Sequence, residues 1–477
     1  MKLILTTVVA FVITFQSYGQ NSFIQIESNK TLDLFNFLET SSGHVGTSKS
    51  FQKYISDSLS HDKEFNMLID SYSKLRLHYS IEQQEFPDKR TASIPIKNLL
   101  WIAASNANSI DDFSQRIIGT LPHKTHIQLV KALKVAEPYY NDLIWKKEQD
   151  NIARIQNQLS NYKEQISETY LKISKFYNTP WNTDIPFKIM LYPIPLTAGN
   201  TTAYQKGNAL ICGFMSHNEN EYKAQLGIII HEMCHLLYRE QSAEFQHKIE
   251  QWFTNSTSPY APLAYTFFDE ALASALGNGW AYKQIHKSLD PKEWYNNKHI
   301  DGFAHALYPI VEQYVNSGKN IDQYFVNTSI ELFEKKFPKA TVETAILMNS
   351  LVIYANSEKE TEIDDILDTI YNYFNIRSMW LSTPILSDNS KKKFDKKETT
   401  KLFVIDLDNA NTVKGLQEHF PHLKIQTPLN SIDILKDEKT SSTLIIINID
   451  DLAKLNDAYK VLFNITYLEN GMNYKIK

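Results

Sequence analysis

The sequence predicts an α+β protein that is mostly helical, with a small sheet in its middle and a small α/β module at its C-terminal end. Three observations lead to this prediction. Apolar residues recur every three or four positions in 20–145 and in 152–173, which is the period of a helix. Two apolar runs, 186–193 and 208–214, are typical of strands. Beyond residue 400, strand-like and helix-like segments alternate.

A chain of 477 residues is long enough for more than one domain. The changes in pattern along it predict a signal peptide at 1–19, a helical N-terminal region at 20–145, a central α+β domain at 146–386, a charged polar linker at 387–400 and the α/β module at 401–477. The module lacks a glycine-rich phosphate loop, so we assign it no nucleotide, and docking to the central domain or binding a partner both stay open.

The first residues have the pattern of a secretory signal peptide. Lys2 precedes an apolar run from Leu3 to Phe15, and the small residue Gly19 marks the expected cleavage point. The run is too short to span a bilayer, and no later segment predicts a membrane span. We therefore expect an exported protein, periplasmic or extracellular.

Composition excludes some classes of protein. The net charge is −5 and no basic tract is present, so nucleic acid is not an expected partner. The two cysteines, Cys212 and Cys234, are too few for a disulfide framework. They could pair in an oxidising compartment, but buried thiols are the simpler interpretation. Cys234 is a weak alternative metal ligand because it lies off the histidine face described next.

The most informative motif is His231-Glu232-Met233-Cys234-His235. On a helix, residues four apart lie about 40° from each other, so both imidazoles can bind one Zn²⁺ from the same face. Glu232 lies beside them, where it can take a proton from a metal-bound water. Two His and one Glu at this spacing arise by chance about 0.02 times in a chain of this composition. The motif is the HExxH pattern of zinc metallopeptidases.

The flanking residues predict that this motif lies on a buried helix. The surrounding side chains are apolar, namely Leu226, Ile228, Ile229, Ile230, Leu236 and Leu237. Burying histidines and a glutamate in such a helix costs free energy unless these side chains have polar partners or bind a ligand. Ser216 and Glu219 have the spacing of a capping box, which predicts that the helix begins there.

A catalytic zinc site has three protein ligands and a water, so a third ligand is expected. Tyr238 and Gln241 stand where a metzincin has glycine and histidine, which excludes that class. Glu270 follows on a second helix whose face is made of small residues, Ala271, Ala273, Ser274, Ala275 and Gly277. Small residues let two helices approach closely. The other acids nearby continue the first helix and point away from its metal face or lie too far along it, namely Glu240, Glu244 and Glu250.

Together, His231, Glu232, His235 and Glu270 resemble the gluzincins, the thermolysin-like clan in which a glutamate on the helix after HExxH completes the metal site. The resemblance implies a gluzincin-like domain at 146–386 that binds Zn²⁺ through His231, His235 and Glu270. It implies Glu232 as general base and Asp269 as a partner that orients one histidine. It also implies that the strand before the zinc helix pairs with an extended peptide substrate.

The clan also uses a Tyr or His from a later helix to stabilise the oxyanion. His305 and Tyr308, three residues apart on one predicted helix face, are the expected source, with Tyr308 preferred. Tyr282 and His286 are alternatives. The implied function is a secreted zinc metallopeptidase whose partner is a peptide or protein substrate. The alternatives are a zinc-binding pseudoenzyme and a cell-envelope binding or scaffold protein.

Overall fold

The structure is a computed structural model. It describes residues 22–44, 46–82, 85–86, 93–357, 359–397 and 400–476. The predicted signal peptide at 1–19 lies outside the described residues. The fold is mixed α/β, with 54% helix and 15% strand, so the prediction of a mostly helical protein is confirmed. None of the described helices is long and apolar enough to cross a membrane.

Nineteen α-helices are described. They are α1 (Lys30–Ser41), α2 (Lys49–Leu59), α3 (Lys63–Ser73), α4 (Ile96–Asn106), α5 (Ile110–Arg116), α6 (His123–Tyr140), α7 (Lys146–Ser160), α8 (Lys163–Phe176), α9 (Glu221–Arg239), α10 (Ala243–Thr254), α11 (Ala261–Ser274), α12 (Tyr282–His286), α13 (Lys298–Ser317), α14 (Gln323–Lys336), α15 (Thr344–Leu347), α16 (Glu360–Tyr371), α17 (Asp388–Phe394), α18 (Asn409–His419) and α19 (Leu455–Phe463). Wider π-helical turns continue α6 at Asn141–Trp145 and α11 at Ala275–Ala281, and a 3₁₀ turn at Leu452–Lys454 precedes α19.

Twelve strands are described. They are β1 (Ile24–Glu27), β2 (Ser80–Glu82), β3 (Ser93–Pro95), β4 (Phe187–Ile194), β5 (Ala203–Lys206), β6 (Ala209–Met215), β7 (Ser350–Ala355), β8 (Ser378–Ser382), β9 (Thr400–Ile405), β10 (Ser431–Asp437), β11 (Ser442–Asn448) and β12 (Met472–Lys475). The two strands expected before the HExxH helix are confirmed as β4 and β6.

The first sheet has the order β1-β4-β6-β5 and is covered on both faces. Because side chains of a strand alternate between faces, β4 contributes to two cores. Its Ile189 and Leu191 pack with α9 and α11, while Met190 and Tyr192 pack with the N-terminal helices. The apolar character of β4 on both faces follows from this position.

The apolar stripe at 152–173 is divided between two helices rather than one. α7 ends at Ser160 and α8 begins at Lys163, yet Ile155, Leu159, Ile166 and Ile173 are all buried in the core that contains the HExxH helix. The stripe is therefore part of the intramolecular core.

The second sheet is larger than the predicted α/β module. Its six strands have the order β12-β10-β11-β9-β7-β8, and β7 and β8 come from the region that the sequence assigns to the central domain, 146–386. The apolar run of β7 is entirely buried, with Leu351 and Ile353 in the same core as α9 and α11. The predicted linker at 387–400 contains α17, whose Phe394 is fully buried. The second sheet therefore packs on the central helices through a shared core.

Candidate metal centre

Helix α9 presents the two histidines. It begins at Glu221, not at the predicted capping box, because Ser216 donates instead to the backbone oxygen of Ile194 (3.1 Å). Glu221 is the first residue of the helix. Its carboxylate accepts a hydrogen bond from the backbone N–H of Met215 (3.2 Å) and another from the side-chain amide of Asn218 (3.1 Å). An acid in the first turn is also favoured by the helix dipole. The start of α9 is thus tied to the end of β6.

Helix α11 and the π-helical turn that follows it bring Glu270 to α9. Gly277 lies against the backbone of His231: a Cβ at this glycine would be 2.8 Å from the His231 nitrogen and 2.9 Å from its Cα. Ala271, Ala273 and Ala275 of the same run are also fully buried. The small residues therefore allow the close helix contact that the sequence predicts.

We expect Gly277→Ala to lower the free energy of unfolding by about 1–3 kcal/mol, because the added methyl group has no room beside the His231 backbone. The measurement is urea unfolding of the metal-free protein. Gly227→Ala, within α9, is the matched control, because a Cβ there would meet only Asn278 at 3.7 Å. The control is expected to raise stability by about 0.5–1 kcal/mol through helix propensity. Equal behaviour of the two variants would contradict the close-contact interpretation.

Three donor atoms converge at the expected place. Nε2 of His231 and Nε2 of His235 lie 3.1 Å apart. Oε2 of Glu270 lies 3.4 Å from each of these nitrogens. Among the described residues, this is the group of His, Cys, Asp and Glu whose ligand atoms are close enough to hold one metal ion. Glu244, one of the alternative acids, pairs with Lys248 instead (2.7 Å).

The spacing of these atoms fits zinc. Zinc–nitrogen and zinc–oxygen bonds of 2.0–2.1 Å in a tetrahedron place neighbouring donors about 3.3 Å apart. The three separations in the cluster lie close to that value. Two imidazoles and one carboxylate are also a donor set that zinc accepts in catalytic sites, with a fourth position left for water. The residues present therefore fit a zinc ion.

Each side of the cluster is held by another residue. Asp269 Oδ1 lies 3.0 Å from His235 Nδ1, which leaves the Nε2 of that ring for a metal. Arg377 Nη2 donates to Glu270 Oε1 (2.7 Å), so the second carboxylate oxygen is the one that faces the histidines. The ring of Tyr295 stacks on His231, with 6.0 Å between centroids. The sequence predicts Asp269 as a partner but not Arg377 or Tyr295.

The charges of the cluster set its pKa values. Burial disfavours the charged form of Glu270, but the charge of His235 and hydrogen bonds from both histidines outweigh it, so the pKa of Glu270 lies well below its usual value. Burial lowers the pKa of His235, but Asp269 and Glu270 raise it well above the ordinary value overall. Zinc binding would therefore displace a proton from His235, and affinity should fall as pH falls.

Glu232 lies within electrostatic range of the same cluster. Burial raises its pKa, and the charges of His235 and His231 partly offset this effect. On the sheet side, burial and the charge of Arg239 lower the pKa of the Lys206 amine of β5 to about 8, and the charge of Glu232 partly opposes this shift. The carboxylate therefore interacts electrostatically with both histidines and with Lys206 of β5. Nearby, Cys212 and Cys234 are both buried free thiols.

The predicted oxyanion donors have other partners. The hydroxyl of Tyr308 donates to Glu312 (2.8 Å), and Lys283 lies 3.2 Å from it. The ring of His305 stacks on Trp294, with 3.8 Å between centroids. The alternatives Tyr282 and His286 contact each other, at 4.2 Å between centroids. These contacts do not support an oxyanion role for Tyr308 or His305. The phenol beside the cluster is Tyr295, which comes from a loop that gives no helical signal.

The sheet edge beside the site is β5. The strand directly before α9 is β6, but it lies inside the sheet, between β4 and β5. β5 runs antiparallel to β6 and forms the edge. The expectation that the strand directly before α9 pairs with a substrate requires a sheet edge, and it is therefore corrected from β6 to β5.

Comparison of the chain with protein-family models, with curated proteins and with solved structures gives no match. What the site can do therefore follows from its own residues.

Proposed function

We propose that this protein is an exported zinc metallopeptidase of the gluzincin type, with a gluzincin-like domain around α9 and α11. The observation that supports the proposal best is the convergence of His231, His235 and Glu270 at tetrahedral spacing, with Glu232 beside them. A site built only to hold a metal has no need of a further, partly buried carboxylate, Glu232, that can act as a base.

Zinc bound by His231, His235 and Glu270 would supply a Lewis acid and lower the pKa of a bound water toward about 7. The protein supplies the proton transfers. Glu232 accepts the proton of the attacking water and then passes it to the amine that leaves. Asp269 keeps the His235 ring in one orientation through Nδ1.

Tyr295 replaces Tyr308 as the proposed donor to the oxyanion. Burial and then the charge of Glu270 raise its pKa above the ordinary value, so the phenol keeps its proton at neutral pH and can donate a hydrogen bond. The substrate class that we propose is a peptide in extended form, paired with the edge strand β5 close to Glu232.

Metal binding tests the proposal most directly. The purified protein is expected to hold about one equivalent of zinc, and zinc at a thousandfold excess over Kd should add about 4 kcal/mol to the free energy of unfolding. His235→Ala should abolish both effects. His247→Ala, on an exposed side chain of α10, is the control and should change neither. Stabilisation of His235→Ala to the wild-type extent would refute the site.

Cleavage of a peptide library by the zinc-loaded protein separates the enzyme from the alternatives. Cleavage that stops on chelation and returns with zinc is the expected result. Tight zinc binding without cleavage of any peptide would instead favour a zinc-binding pseudoenzyme or a cell-envelope scaffold.

A further inference from the structure

We propose that Arg377 is a positioning residue for the metal ligand Glu270. The second sheet, which holds Arg377, therefore contributes to the geometry of the metal centre. This inference rests on the metal site of the proposed function. It gives a role to the sheet that contains β9 to β12 of the C-terminal module, for which the sequence leaves docking and partner binding open.

The contact itself is direct. Arg377 Nη2 donates to Glu270 Oε1 at 2.7 Å, while Oε2 of the same carboxylate faces the two histidine nitrogens at 3.4 Å. Glu270 is mostly buried, with 14% of its side chain exposed, and Arg377 retains 27%. One oxygen is thus held by the guanidinium and the other is presented to the metal position.

Fixing this carboxylate matters because its last torsion is soft. The terminal torsion of a glutamate is broad and has no sharp preference, so a free carboxylate samples many orientations. A guanidinium is planar and always charged, which makes it suited to holding a carboxylate in one plane. Without Arg377, Glu270 could turn away or present both oxygens to the ion.

The second sheet holds Arg377 rigidly at its backbone. Residue 377 directly precedes β8, and its N–H donates to the backbone oxygen of Asn349 (2.9 Å), directly before β7. The Asn349 side chain donates back to the oxygen of Asn375 (3.3 Å), and Asn349 itself is only 2% exposed. The neighbouring Ile376 is buried in the core shared with α9 and α11. The position of the Arg377 backbone is therefore set by the packing of the sheet, and the bond to Glu270 holds the guanidinium.

The structure gives a simple consequence for metal binding. Losing a residue that holds a metal-ligating side chain typically weakens metal affinity by about 10- to 100-fold. Arg377→Met is expected to weaken zinc binding by this amount. Arg377→Lys keeps a positive charge without the planar fork, so its affinity should lie between those of the wild type and Arg377→Met.

The experiment measures zinc Kd by competition with a chromophoric chelator, on the full chain, for both variants and for Arg116→Met. Arg116 pairs with Asp112 on the surface of α5 and serves as the matched control, which should keep wild-type affinity. The visible spectrum of the Co²⁺-substituted protein is the second readout. It should change in Arg377→Met and not in Arg116→Met, because the coordination of Glu270 changes only in the first.

Two outcomes overturn the proposal: wild-type affinity in both Arg377 variants, or weaker binding that is accompanied by loss of native circular dichroism in both metal-free variants. The test is separable from that of the proposed function. A wild type that binds zinc tightly, cleaves no peptide and still loses affinity on Arg377→Met would reject the peptidase and keep the positioning role. Peptidase activity with wild-type zinc affinity in both variants would keep the proposed peptidase function and reject the positioning role of Arg377.

Discussion

The Glu232→Gln variant is expected to lose about 100- to 10,000-fold in kcat for peptide cleavage, the contribution typical of a positioned general base. The amide keeps the size of the carboxylate but cannot accept a proton from the attacking water. Glu232 lies beside His231 and His235 without belonging to the three-atom cluster, so zinc should stay bound. The measurement is kcat on a peptide found by library cleavage, together with zinc content.

Glu244→Gln is the matched control for this prediction. Glu244 lies on the next helix, α10, with 79% of its side chain exposed, and pairs there with Lys248. The same change of charge at this position should leave kcat and zinc content as they are in the wild type. Equal cleavage by wild type and Glu232→Gln would show that Glu232 is not the general base.

The parts of the site that the sequence predicts are those with a local pattern. His231 and His235 are one helical turn apart, so their convergence follows from the pitch of the helix alone. Glu270 lies on another helix, and its position could still be inferred because a run of small residues implies a close helix contact. Gly277, whose Cβ would meet the His231 backbone, shows that this inference has a physical basis.

The residues that the sequence does not predict depend on contacts over long distances in the chain. Arg377 is 107 positions from Glu270 in the chain. Its contact with Glu270 depends on the second sheet, whose strands β7 and β8 precede the predicted module. Tyr295 lies in a loop with no periodic signal, among 26 tyrosines. The sequence favoured Tyr308 because it lies three residues after His305, which is the spacing of one helix face. Lys283 and Glu312, which hold that hydroxyl, are not part of the pattern.

The second prediction concerns this exchange of tyrosines. Tyr295→Phe is expected to lower kcat by about 100- to 1,000-fold, the loss typical of removing one oxyanion donor. The ring of Tyr295 lies on His231, and its hydroxyl is close enough to Glu270 and Glu232 for their charges to raise its pKa. A phenol that stays protonated at this place can turn from Glu270 to the oxyanion as charge develops there. The measurement compares kcat with KM, since a donor that acts in the transition state changes kcat more than KM.

Tyr308→Phe is the control that decides between the two tyrosines. Its hydroxyl is held by Glu312 and Lys283, so removing it should leave kcat near that of the wild type and should slightly lower stability through the lost hydrogen bond. If Tyr308→Phe lost activity and Tyr295→Phe did not, the helix α13 would have to move toward the zinc helix when substrate binds. His305 stacks on Trp294, and Tyr308 meets the same ring edge to face, so such a movement is costly because both rings would have to leave a packed aromatic group. The contacts of the two hydroxyls therefore favour Tyr295 as the donor.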